Sequence, residues 1–334
     1  MSLTAKWDKG VSVSYDGFSL FFDLQTNHHS ALDVFITHAH LDHSRAFSFA
    51  GARKYSTSET CEIIKAVSKM SGNCVPVGFN QKLKLGDLEV ISHNSGHVLG
   101  SALYEVVSPD ATVVYTGDLN FENTYTMKAA EGVHCNVLII EATFGSPHFV
   151  FPPKEELAYR MSRWAVESVL DHKTPVFQTD SFGNAQEIIH IVNSFTKLPV
   201  LTHWRISRIN SVYESHGYKL DYVDSGSEEA EEIMSSGEYA YIVPKGLSLS
   251  GNPRFDVAFV SGWAIWNRDE RQAFAYSDHA DYPKLMDFVE ECNPETVLTC
   301  FGGRFNNILA REIKRHLNIE AYPLELISTT YISK

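Results

Sequence analysis

The stretch ITHAHLDHSR, residues 36–45, places three histidines and an aspartate within six consecutive positions: His38, His40, Asp42 and His43. The chain holds 15 histidines in 334 residues, so the cluster is a local concentration and not a compositional habit. It follows the apolar run DVFI, as expected where a buried strand ends. In an extended chain alternate side chains share a face, so His38 and His40 can grip one ion together. Asp42 and His43 come after the chain turns and can address a second position. Imidazole combined with carboxylate suits zinc, manganese or iron.

One loop cannot complete two metal sites. His97 lies in the glycine-flanked loop NSGHVLGS (94–101) and Asp118 ends the apolar run VVYTGD (113–118). Alone, His97 reads more readily as a packed histidine, whereas a carboxylate ending a buried strand at Asp118 has few structural explanations, a turn or cap being one. Asp23 ends SLFFD (19–23) in the same style and could orient a ligand histidine from behind. Glu141 ends VLIIE (137–141). Four strands thus finish in polar residues, which places them at one edge of a sheet, where α/β active sites gather.

Length and composition set the frame. The 334 residues amount to about two domains at roughly 150 each. With 44% hydrophobic and 21% charged residues, the chain can bury a large core. Its net charge of −13 gives no overall attraction to nucleic acid or anionic membrane, so an acidic ligand must be held by local positive charge or by metal. The five cysteines (Cys61, Cys74, Cys135, Cys292, Cys300) are odd in number and form no CxxC pair. No disulfide framework is expected, and a reducing compartment fits. No signal-peptide core and no apolar run near ~18 residues is visible. The expectation is a cytoplasmic protein without a membrane span.

The hydrophobic pattern changes midway. VSVSYDGFSLFFDL (11–24) reads as a hairpin around Asp16-Gly17, and TSETCEIIKAVSKM (57–70) as a helix capped by Thr57 or Ser58. Beyond Pro152-Pro153, helical and strand patterns alternate as in a parallel α/β sheet. The helix YPKLMDFVEEC (282–292), the strand ETVLTCF (295–301) and the helix NNILAREIKRHL (306–317) follow.

These segments carry a resemblance. HAHLDH (38–43) resembles the HxHxDH motif of the metallo-β-lactamase superfamily, with SGHVLGS (95–101) and YTGD (115–118) similar to its next two metal motifs, in order. EATFG (141–145), SFGNAQEI (181–188) and YSDHADYPKL (276–285) resemble the β-CASP branch of nucleic-acid-processing nucleases. The likeness is closest to short prokaryotic proteins described as mRNA 3′-end processing exonucleases or ligase-associated DNA exonucleases. It implies an α/β fold: an αββα sandwich formed by 1–151 and 263–334, with an α/β β-CASP domain inserted at 152–262.

The resemblance also implies a site. A first metal would take His38, His40 and His97, with Asp118 bridging to a second held by Asp42 and His43. The metal would be zinc, as one or two ions, with manganese or iron as alternatives. Glu141 falls on the acidic β-CASP motif. His279 falls on the SDHADY histidine, which acts with that acid near the leaving group. One departure stands out. The family completes its second site with a late histidine after a strand, and Phe301 occupies that place. Cys300 could substitute as a thiolate, the second site could be weak or filled with water as in the Artemis-like branch, or activity could be lost.

The implied reaction is hydrolysis of RNA or DNA phosphodiesters by metal-activated hydroxide, as an exonuclease of RNA processing or DNA repair, with Asp42, Glu141 and His279 as catalytic residues. Ser181, Gly183 and Asn184 could offer backbone N–H groups to phosphate at a helix start. Arg205, Arg208, Lys245 and Arg271 are candidate backbone contacts, and Trp204, Trp263 and Trp266 candidate base-stacking groups. An exposed strand edge in the insert would allow a homodimer. Two rival readings remain: a metallohydrolase of a small substrate, and a non-catalytic subunit that retains the fold.

Overall fold

Asp16 and Gly17 take φ of 48° and 81°, the left-handed pair that a two-residue hairpin turn needs. Val11–Tyr15 and Phe18–Phe22 accordingly pair antiparallel, with Tyr15 opposite Phe18. This computed structural model describes residues 3–28, 31–68, 73–249, 252–266, 272–328 and 330–332. Arg271, among the expected substrate contacts, lies outside the described residues.

The chain divides into two units, one of 1–123, 128–150 and 279–334, the other of 124–127 and 151–278. The first holds two seven-stranded sheets. One runs Thr330–Ile332, Leu3–Trp7, Val11–Tyr15, Phe18–Phe22, Asp33–Phe35, Arg53–Ser56, Cys74–Pro76. The other runs Glu320–Pro323, Thr296–Cys300, Val137–Glu141, Thr112–Tyr115, Ala102–Val107, Leu88–Asn94, Lys82–Leu85. Val137–Glu141 is buried along its whole length and pairs in parallel on both sides. That is why its sequence is a continuous apolar run and not an alternating one.

Both sheets contribute to one core. Phe22 and Phe35 of the first pack against Tyr115 and Tyr104 of the second, with ring centroids 5.6 Å and 5.1 Å apart. The four polar strand ends therefore do not share one sheet edge, contrary to the sequence expectation. Asp23 and His38 follow strands of the first sheet, whereas Asp118 and Glu141 belong to the second. Face-to-face packing brings the two sets together, which no single-strand pattern encodes.

In this unit the helix Ser58–Val67 is capped by Thr57, whose side chain accepts from the Thr60 N–H. Tyr282–Cys292 is capped by Asp281 with Pro283 in its first turn. Arg304–Leu317 buries Phe305, Leu309, Ala310 and Ile313 as one stripe. A disulfide joins Cys61 to Cys74, a pairing that the scattered cysteine positions did not suggest, while Cys135, Cys292 and Cys300 are free thiols.

The second unit is a six-stranded, wholly parallel sheet: Val223–Asp224, Val200–Thr202, Ala240–Pro244, Thr174–Thr179, Phe255–Val260, Gln272–Phe274. Its helices are Lys154–Leu170, Asn184–Phe195, Trp204–Ser215 and Glu228–Ser236. The sheet continues past residue 262 because Gln272–Phe274 pairs with Phe255–Val260 as its edge. Among the described residues no helix is long and apolar enough to cross a membrane.

Candidate metal centre

Asp23 anchors the first unit's polar cluster. It is fully buried at φ 47° and accepts from the Thr37 N–H (2.9 Å), Thr37 Oγ1 (2.7 Å) and Tyr115 OH (2.8 Å), with His43 Nδ1 at 2.8 Å. The Thr37 hydroxyl proton is thus spent on Asp23, so toward His38 Nδ1, 3.0 Å away, Thr37 Oγ1 can only accept. The neutral His38 ring then carries its proton on Nδ1 and presents a bare Nε2.

That Nε2 is buried and in no hydrogen bond, although Asp118 Oδ2 lies 3.3 Å away outside hydrogen-bonding geometry. Burial pushes the His38 imidazole well below its usual pKa, and the charge of His43 adds to the effect. A metal-ligating imidazole must be neutral. The donor atoms of His38, His40, His97 and Asp118 all lie within 4.8 Å of one another. His40 Nδ1 and His97 Nε2 are 3.1 Å apart, and His97 Nε2 is 3.6 Å from Asp118 Oδ2. Three imidazoles and a carboxylate converging on one point fit a four-coordinate divalent ion.

Two glycines permit this convergence. Gly96 sits at φ 73°, and a Cβ there would lie 2.3 Å from the Asn120 carbonyl oxygen. Gly117 sits at φ 54°, where a Cβ would come within 2.6 Å of the Thr37 side chain. Each precedes a candidate ligand, His97 and Asp118.

The expected second set is arranged differently. His43 is 1% exposed, with Nε2 at 3.2 Å from Asp118 Oδ1. Burial opposes its protonation, but Asp118 and Asp23 on either side raise its pKa well above the usual value. Burial likewise opposes ionisation of Asp118, and His43, His279 and His38 overcome it, holding that carboxyl well below the ordinary range. Asp42 opens the short helix Leu41–Ser44 with its side chain 67% exposed and Oδ2 3.8 Å from His43 Nε2. Phe301 stacks on His43, with ring centroids 4.5 Å apart and planes at 27°. Cys300 faces the core: its thiol donates to the Ile140 carbonyl at 3.6 Å, and burial pushes its pKa up. A thiolate ligand from Cys300 is therefore not available.

Glu141 and His279 sit beside this cluster. The Glu141 oxygens lie 3.0 Å and 3.2 Å from His279 Nδ1, and His279 Nε2 is 3.8 Å from Asp118 Oδ2. Glu141 also accepts from the Leu119 N–H at 2.7 Å, which locks it to the residue after Asp118.

The remaining expected residues belong to the second unit. Ser181, Gly183 and Asn184 form the turn into the helix Asn184–Phe195. There the Gly183 N–H is already taken by Gln186 Oε1 at 2.8 Å, and Asn184 is 2% exposed. Arg205 and Arg208 both lie over Trp204, which is 45% exposed, with guanidinium carbons 5.2 Å and 4.9 Å from the ring centroid. Lys245 pairs with Asp180. Sequence reasoning did not single out Glu187. It is 1% exposed and accepts from Thr124 Oγ1 (2.7 Å), the Tyr125 N–H (3.0 Å), the Thr126 N–H (2.8 Å), Thr126 Oγ1 and Tyr276 OH (2.6 Å). A carboxylate within the helical run NAQEIIHI was the available signal.

No protein-family model matches the chain. A probable DNA ligase of Opitutus terrae is 28% identical over 279 residues, covering 80% of this chain and 26% of that protein. An RNase J-like protein of Methanocaldococcus jannaschii is 25% identical over 209 residues, covering 55% of this chain and 50% of that protein. The chain thus spans between a quarter and a half of the length of these curated relatives. A crystal structure of a protein of unknown function from Enterococcus faecalis V583 shares the fold at a TM-score of 0.72, with 15% identity over 99% of this chain and 100% of that one. The ordered metal motifs, their convergence in the structure and these relatives agree in one respect: the chain is similar to the metallo-β-lactamase superfamily, in its β-CASP branch.

Proposed function

We propose that the protein is a metal-dependent nuclease that hydrolyses phosphodiester bonds of RNA or DNA exonucleolytically. In this reading the first unit is the αββα metallo-β-lactamase sandwich and the second its β-CASP insert. The observation that carries the reading is the His279–Glu141 pair set beside a four-donor metal cluster. A proton donor held next to a metal-binding group suits a reaction with both an attacking water and a poor leaving oxygen.

His38, His40, His97 and Asp118 hold the ion, zinc by the balance of imidazole over carboxylate. Bound there, zinc would supply Lewis acidity and lower the pKa of water at the site. Glu141 accepts from His279 Nδ1–H and so keeps the ring oriented. In the imidazolium form, His279 Nε2–H donates its proton to the departing ribose or deoxyribose oxygen. Asp42, exposed at the rim, accepts a hydrogen bond from the attacking water. In the second unit, Arg205 and Arg208 contact phosphates, with Trp204 available to a base, and Lys245 and the 181–184 turn contribute further polar contacts.

The test is a cleavage panel: single- and double-stranded RNA and DNA, labelled separately at the 5′ and 3′ ends, with zinc or manganese. Progressive loss of nucleotides from one end, abolished by His40→Ala, is the expected result. Metal-loaded protein that cleaves none of these substrates would overturn the nuclease reading.

A further inference from the structure

We infer that this centre binds a single divalent ion, at His38, His40, His97 and Asp118, and that Phe301 withholds the donor a second ion would need. The inference rests on the metal-ligand reading above and adds its stoichiometry.

The two oxygens of Asp118 face different neighbours. Oδ2 lies 3.3 Å from His38 Nε2 and 3.6 Å from His97 Nε2, on the side of the four-donor cluster. Oδ1 lies 3.2 Å from His43 Nε2. A second ion would have to sit between Oδ1 and His43 Nε2, with Asp42 as the next carboxylate. Those donors do not converge: among the described residues no group of three or more donor atoms lying within 4.8 Å of one another includes Asp42 or His43.

Phe301 supplies no donor beside His43, where a further side chain would have to complete such a site. Its ring covers His43 face to face at 4.5 Å, is buttressed edge-on by Trp7 at 5.4 Å, and lies 6.5 Å from Tyr115. An aromatic ring offers no lone pair, and a hydrated divalent ion beside it would lose water ligands without replacement. The backbone is pinned as well. Phe301 is at φ 56°, and a Cβ on Gly302 would lie 2.2 Å from the Ala142 carbonyl oxygen, so that glycine fits tightly against the Val137–Glu141 strand end. The neighbouring thiol cannot substitute, since Cys300 points into the core. His43 then acts as a positioning residue: fixed by Asp23 at Nδ1, it holds Asp118 Oδ1 and leaves Oδ2 for the ion.

The test is metal stoichiometry on the full chain. Stripped wild-type protein is titrated with cobalt(II), followed by visible absorption, and separately reconstituted with zinc, desalted and assayed by elemental analysis. One equivalent per chain is expected in both, absent in His40→Ala. Phe301→His, which restores a donor beside His43, is expected to raise the count toward two. Two tight equivalents in the wild type would overturn the inference, as would a folded Phe301→His that stays at one. Zero equivalents in the wild type would overturn the ligand assignment itself. The wild-type titration decides the stoichiometry even where a variant does not fold.

Discussion

Glu141 Oε1 lies 3.0 Å from His279 Nδ1, although 138 residues separate them in the chain. The carboxylate is buried and the imidazole partly open, so Glu141 can fix the ring while Nε2 stays reachable. Removing the ring by His279→Ala should lower kcat by about 10²–10⁴, the usual worth of a positioned proton donor. Glu141→Gln keeps the shape but weakens the hold, and should cost less. Zinc content should not change in either variant. Loss of the ion in His279→Ala would make the histidine a ligand and sink its role as acid.

Asp23 carries more of the centre's rigidity than any candidate ligand. Four donors on Thr37, His43 and Tyr115 converge on its two oxygens, and none has a route to water. Asp23→Asn replaces one acceptor oxygen by an NH2 group, which cannot accept from them. Breaking a buried charged network of this kind costs about 3–5 kcal/mol. Urea denaturation of the zinc-free variant should show that loss, whereas Asp42→Asn, at an exposed side chain, should change stability by less than about 0.5 kcal/mol.

The sequence showed those parts of the centre that are local. His38, His40 and His43 could be read because strand and turn geometry fix their spacing, and Asp118 because a carboxylate ending an apolar strand needs a reason. The Asp16-Gly17 hairpin and the Thr57 cap were legible because turn and cap chemistry reside in a few adjacent residues. The meeting of two sheets was not, because face-to-face packing of Phe22 on Tyr115 leaves no trace in the spacing of either strand. Phe301 was visible as a missing histidine, but its stacking on His43 depends on a left-handed backbone that a phenylalanine gives no reason to expect. The five bonds to Glu187 were invisible for a similar reason: the acceptor and most of its donors lie some sixty residues apart.

Glu187 accordingly makes its own prediction. It ties 124–127 to the helix Asn184–Phe195, with Tyr276 as a further partner. Glu187→Ala leaves the buried Thr126 N–H and the part-buried Tyr125 N–H without an acceptor, at about 1–3 kcal/mol for the buried group. Hydrogen exchange at Tyr125 and Thr126 should accelerate strongly, while that in the strand Val137–Glu141 of the first unit should not. Unchanged exchange at 125–126 would mean that the loop is held by something other than this carboxylate.

On the proposed function, Trp204, Arg205 and Arg208 are where a nucleic acid would be gripped. Both guanidinium groups and the indole are exposed, so their removal should leave stability nearly unchanged. For single-stranded substrate, the double change Arg205→Ala, Arg208→Ala should reduce the slope of log affinity against log salt by about 0.7 for each phosphate no longer neutralised. Trp204→Ala should weaken binding by about 1–3 kcal/mol if a base stacks there, with the salt slope intact. Equal salt slopes in wild type and double variant would remove these arginines from the substrate path.

Metal removal supplies the last expectation. Without an ion, the chain buries the His38 Nε2 lone pair with no hydrogen bond and packs His38, His43 and His97 around one carboxylate. An ion bound only by the folded chain stabilises it by about 4 kcal/mol at a thousand times its Kd. At roughly 2–4 °C per kcal/mol for a domain of this size, zinc should raise the melting temperature of the first unit by about 10 °C. The shift should grow only logarithmically with zinc in excess of the first equivalent and vanish in His38→Ala. That variant also deletes the buried unpaired nitrogen, so its zinc-free form should lose less stability than truncation of a fully bonded buried histidine would cost. A zinc-dependent shift that survives His38→Ala would place the ion elsewhere in the molecule.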